Sequence, residues 1–199
     1  MKKIIAMLLA LTMMATFAGC NSTTAPETTE GTQPVETTTA PTTEAVPTVE
    51  SALAVLEGVW ALYGEDEKFF AMGGDWDNMV DGAPGKATNT DFFTGNLIVP
   101  ADQTANITDA ASLIHGMNAN TFTGAAYAVA DANAFATAMQ TAIQGNQWIC
   151  GFPEKLLIAS VDGFVVVAFG VGDAMTPFQT HLTEAFPGAQ ILVDEAITG

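Results

Sequence analysis

The chain has 199 residues, 49% hydrophobic and 14% charged, a composition that excludes disorder throughout and suffices for one well-filled domain. Its formal charge is −17, from 22 acids against five lysines, which excludes a nucleic-acid partner, because affinity for a phosphate backbone rests on Lys and Arg releasing counterions. With no Arg in the sequence, bidentate clamps for carboxylate or phosphate are missing as well.

Lys2 and Lys3, an uncharged run from Ile4 to Phe17, and the small pair Ala18-Gly19 before Cys20 form the three regions of a secretory signal peptide spanning residues 1–20. The apolar run is too short for a permanent membrane span. The segment Phe17-Ala18-Gly19-Cys20 resembles the lipobox of bacterial lipoproteins, with Phe17 where an aliphatic residue is usual. That resemblance implies cleavage before Cys20, a diacylglyceryl thioether on its sulfur, and a lipid anchor on the outer face of the bacterial cell membrane. Two acyl chains are enough for stable anchoring. Loss of the leader removes Lys2 and Lys3 and takes the net charge from −17 to −19.

Residues 21–48 are a linker in which Thr, Pro and Glu supply 19 of 28 positions. Such a segment buries too little apolar surface to fold and is expected to be disordered. Its spaced prolines and like charges give a reach of roughly 30 Å as a coil and roughly 90 Å as polyproline II. The remaining 151 residues, 49–199, make a single domain.

Within that domain, Ala52, Leu56, Val59, Trp60 and Tyr63 fall at helical spacing and predict an N-terminal helix over 49–63, with Thr48 as N-cap. Residues 64–96 are rich in Gly and Asp with no sustained period and read as loops around Phe69-Phe70 and Met79-Val80. A short strand is expected over 96–99, and a helix through Ala110, Leu113, Ile114 and Met117. A strand over 125–130 precedes a helix capped by Asp131, with Phe135, Ala138, Met139, Ala142 and Ile143 on one face. Asp162-Gly163 between two apolar runs predicts a type I′ hairpin. Thr176-Pro177-Phe178-Gln179 reads as a capping box opening a helix through Leu182 and Phe186, and 189–193 as the last strand. The order strand, helix, strand, strand, helix, strand predicts an α+β fold: a ferredoxin-like split βαβ sandwich in the C-terminal part, both helices on one sheet face, plus the extra N-terminal helix.

The lipobox, the Thr-rich stalk, and the run from Ala125 through Asp131-Ala132 to the hairpin and final helix together resemble small uncharacterised lipoproteins of Firmicutes, of clostridial type. The resemblance implies location and fold and transfers no catalytic residues.

Asp75, Asp77 and Asp81, in the Gly-rich stretch GGDWDNMVDGAPG, are candidate calcium ligands, although EF-hand spacing would need an acid at Met79 and a closing Glu. The competing reading is a solvated acidic turn with Trp76 packed inward. His115 and His181 belong to no zinc motif. Cys150 follows Trp148-Ile149, an apolar setting that predicts a buried, inert thiol. Gly170-Val171-Gly172-Asp173 lacks the Lys-Ser/Thr of a phosphate loop and reads as a strand-to-helix turn. Ser51, Ser112 and Ser160 lack a nucleophile elbow. No catalytic or cofactor-binding residues are assigned, and calcium is the one cation candidate. The leading expectation is a non-enzymatic, lipid-anchored module facing a protein or envelope partner. The alternatives are a small-ligand or calcium-binding accessory lipoprotein and an envelope enzyme using Cys150.

Overall fold

Ser51 starts the first helix, α1 (Ala52–Trp60), by accepting a hydrogen bond from the Ala54 N–H at 3.1 Å, the service a serine hydroxyl performs at an N-cap. This is a computed structural model that describes residues 49–198. The signal peptide, Cys20 and the linker 21–48 lie outside the described residues. Beyond α1 run β1 (Ala71–Gly73), β2 (Val80–Asp81), β3 (Gly85–Lys86), α2 (Thr90–Gly95), β4 (Ile107–His115), β5 (Phe122–Val129), α3 (Ala132–Gln144), β6 (Lys155–Val161), β7 (Phe164–Gly170), α4 (Gly172–Ala185) and β8 (Gln190–Ala196). Among the described residues the class is α+β, with four helices and one eight-stranded antiparallel sheet ordered β2-β1-β4-β5-β7-β6-β8, β3 pairing additionally with β4.

Alternation along the central strands divides the core in two. Leu157, Ala159 and Val161 of β6 meet Leu56 and Val59 of α1 and Phe178 and Leu182 of α4 on one face. Leu156 and Ile158 meet Phe135, Met139 and Ile143 of α3 on the other. Strands covered on both faces read as near-continuous apolar runs, as LLIASV and FVVVAF do.

The expected placement of both C-terminal helices on one face is therefore corrected. A ferredoxin-like sheet returns its last strand beside its first; here β4 already occupies that edge of β5, and β8 pairs with β6 instead. Both crossovers, β5 to β6 and β7 to β8, then step the same way along the sheet from strands of opposite sense. Right-handed crossovers under that constraint place their helices on opposite faces.

Three local expectations are also corrected. Residues 107–115 form β4, not a helix, because pairing with β5 on one side and with β1 and β3 on the other satisfies their backbone groups; a short apolar run does not separate the two states by period. Residues 96–99 form an irregular link in which Leu97 and Val99 are buried and Ile98 takes φ 57°. The last helix opens at Gly172, one turn before the capping-box position, and carries Pro177 inside it; Glu154 caps it from afar, its carboxylate accepting from the Gly172 N–H at 2.9 Å.

Asp162 and Gly163 form the β6–β7 hairpin with φ 46° and 89°, as a type I′ turn requires. A Cβ added at Gly163 meets nothing within 4 Å, so Gly163→Ala isolates the backbone cost. We expect a loss of about 1–2 kcal/mol in denaturant unfolding, against little change for the equally open Gly188→Ala.

Candidate functional site

Asp75 organises the segment that sequence reading set aside for calcium. It is 2% exposed. One carboxylate oxygen accepts from the N–H groups of Asp77 and Asn78 at 3.0 and 2.9 Å, and the other from those of Thr88 and Asn89. Burial opposes ionisation of this carboxyl, yet the four backbone donors outweigh it and pull its pKa down to about 2. Asn89 in turn caps α2, accepting from the Phe92 N–H at 3.0 Å, while its amide donates to Asp77 at 2.8 Å. One buried carboxylate thus joins the β1–β2 loop to α2.

Glycine in this stretch serves close packing. A Cβ at Gly73 would strike the backbone of Ala83, Pro84 and Gly85. The Ser112 hydroxyl, buried, donates to the Gly74 carbonyl at 2.5 Å. Asp77 and Asp81 are exposed, and no group of three or more His, Cys, Asp or Glu is gathered among the described residues. The oxygens of Asp75 are spent on its own backbone.

What this scaffold presents is apolar. Trp76, expected to pack inward, is 56% exposed, its ring standing edge-on to Phe92 at 5.6 Å and 88°. Met79 is 59% exposed and Met117 79%. These three, with Met72, Phe92, Ile114 and the polar Asn96 and Asn118, line a cleft of about 240 Å³ between the β1–β2 loop, α2 and the β4–β5 turn. At that turn Gly116 leaves room for Phe70 and Met72, whose side chains lie where its Cβ would be. His115 Nδ1 accepts from the Met117 and Asn118 N–H groups at 3.3 and 3.4 Å, and its ring stacks on Phe69 at 5.4 Å. It is the brace of the turn, on a strand where a helix was expected.

The α3–β6 loop is tied to the same turn. Asn118 donates to the Cys150 carbonyl at 2.7 Å, and Asn120 to the carbonyls of Ile149 and Gly151 at 2.7 and 2.9 Å. Cys150, expected to be buried, is exposed with φ 64°; the amide clamps hold its loop outward beside exposed Ile149 and Phe152. Sequence spacing gave no sign of these clamps, because the asparagines lie about thirty residues from the carbonyls they hold.

His181 lies elsewhere. Nearly buried on α4, it meets Glu67 through Nε2 at 3.1 Å and packs on Tyr63 at 4.8 Å. The Gly64 N–H and then His181 hold the Glu67 carboxyl below its ordinary range. Ser51 and Ser112 are spent on the α1 cap and the Gly74 carbonyl, and Ser160 sits within β6.

Comparison with protein-family models, curated proteins and solved structures finds no match to this chain.

The Asp75 arrangement carries a pH signature. A carboxyl whose folded pKa lies below its ordinary 3.8 contributes stability that is whole above that value and is lost as pH falls towards 2. Asp75→Asn cannot accept from four donors, and we expect it to cost roughly 2–3 kcal/mol at neutral pH. Urea unfolding between neutrality and acid should show the difference from the parent shrinking over that window.

Proposed function

We propose that this chain is an extracytoplasmic, lipid-anchored binding module, held at the outer face of a bacterial membrane through Cys20 and carried on the linker 21–48, and that it binds a small ligand without transforming it. The observation that carries the binding assignment is the gathering of exposed Trp76, Met79 and Met117 around one cleft. Isolated exposed apolar residues are ordinary, but a cluster of them lining a concavity marks a binding surface. Asn96 and Asn118 on its lining supply the few polar groups that orient a ligand in such a site.

The lipid anchor is supported by the leader pattern that ends in Cys20. No helix among the described residues is long and apolar enough to cross a membrane. A non-catalytic role is supported by two of the nucleophile candidates, Ser51 and Ser112, whose hydroxyls serve the fold, while exposed Cys150 is the thiol that the enzyme reading would use. Presentation to a protein or envelope partner is the second reading, favoured by exposed Ile149 and Phe152 on the neighbouring loop, which extend the apolar surface beyond the cleft.

Two measurements test the proposal. Cys20→Ala should release the chain from the membrane fraction of expressing cells; retention there would remove the anchor. In the full chain, a ligand at a hundred times its dissociation constant should raise stability by about 2.7 kcal/mol. Trp76→Ala should abolish that gain while costing about 0.5–1.5 kcal/mol of intrinsic stability through loss of the edge-on contact with Phe92. A gain that survives Trp76→Ala would place the ligand outside this cleft.

A further inference from the structure

Methionine is distributed unevenly in this domain. Outside the leader there are five: Met72, Met79, Met117, Met139 and Met175. Met139 and Met175 are fully buried, one in each core, where an unbranched side chain fills irregular space. The other three all line the Trp76 cleft, and two of them are more than half exposed. Core packing does not account for a methionine that is 79% exposed.

Three thioethers around one small cleft are a soft donor set. Thioether sulfur selects Cu(I) among common biological cations, whereas oxygen ligands suit calcium and magnesium. The cleft offers no free carboxylate: Asp75 is the only acid on its lining, both of its oxygens are occupied by backbone donors, and the hard donors left among the lining side chains are the neutral amides of Asn96 and Asn118. Its fixed negative charge remains close by, and the chain around it is strongly acidic, which favours a cation over an anion. The indole of Trp76 lines the same space, and it is the aromatic ring best suited to attract a cation. Each methionine side chain has three rotatable bonds, so the sulfurs can converge by rotamer changes from β1, the β1–β2 loop and the β4–β5 turn, the loop and the turn being held in place by Asp75 and His115.

We propose that the cleft binds one Cu(I) ion through the thioethers of Met72, Met79 and Met117, with Trp76 against the bound ion. This rests on the reading of the cleft as a ligand site and names the ligand's class. Binding is association alone, with no change in the oxidation state of the metal. The titratable groups on the cleft lining are Asp75 and His115, the first held by backbone donors and the second bracing the turn through Nδ1. The proposed ligands are thioethers, which carry no proton to lose, so affinity is independent of pH across the range in which histidine and thiolate sites weaken as they are protonated.

The test is anaerobic titration of the full chain, extracted from membranes and carrying Cys150→Ser to remove the exposed thiol, with Cu(I) delivered from a competing colorimetric chelator. We expect one equivalent bound, equal affinity at pH 5.5 and 7.5 once the chelator's own protonation is accounted for, and quenching of tryptophan emission that Trp76→Phe removes. The triple variant M72L/M79L/M117L should lose this binding while keeping its fold, since Met to Leu conserves volume; M139L should keep it. Binding unaffected by the triple variant, or affinity that falls with acidification, would overturn the proposal. If Cu(I) fails to bind while apolar organic probes still quench Trp76, the copper assignment falls and the ligand cleft stands. If neither binds, both fall.

Discussion

The edge of β5 that β4 occupies is the constraint on which the rest of the architecture depends. With that edge taken, β8 must pair with β6, both crossovers run in the same direction along the sheet, and α3 and α4 are driven to opposite faces. The central strands consequently need apolar residues on both sides, and the domain builds two cores instead of one. The position of α1 follows too: it shares the face of α4, packing beside it, and its first N–H is received by Asp109 of β4 at 2.9 Å.

The same strand places the cleft. β4 ends at His115, whose ring stacks on Phe69 and whose Nδ1 fixes the turn that carries Met117. Its other edge pairs with β1 and β3, so the loop carrying Trp76 and Met79 is delivered next to that turn. Between them Asp75 replaces what a bound cation is often invoked to do in an acidic loop: it gathers backbone N–H groups from two segments and fixes their separation. An ionised carboxylate surrounded by four backbone donors needs no metal to be stable when buried. The lysines are used sparingly. Lys68, Lys86 and Lys155 each pair with a carboxylate, Glu65, Asp109 and Asp194, Glu67 and Glu184 meet His181, and Asp75 is buried on backbone donors.

Legibility followed the range of the interactions. The Asp162-Gly163 hairpin and the Asp131-capped α3 were readable because turn chemistry and capping act over two to four residues, and both are present where the spacing placed them. The Gly-rich segment was readable as unusual but not in its purpose. Its glycines meet backbone a dozen residues away, and Asp75 is satisfied partly by Thr88 and Asn89. The outward turn of Trp76 ran against its own apolar character, and that of Cys150 against its neighbours Trp148 and Ile149, because the support comes from Phe92 in one case and from Asn118 and Asn120 in the other.

By itself the sequence determined the acidic character of the chain, the signal-like leader ending in Cys20, the apolar runs of its central hairpin, the helical period of α3 and the local chemistry of its turns, since composition, periodicity and capping are properties of neighbouring residues. Only the tertiary structure decided that 107–115 is a strand, that the helices lie on opposite faces, and that three methionines and a tryptophan from separate segments meet around one cleft. Those outcomes depend on which strand edge is free and on contacts spanning tens of residues. A period of two or four positions does not record them.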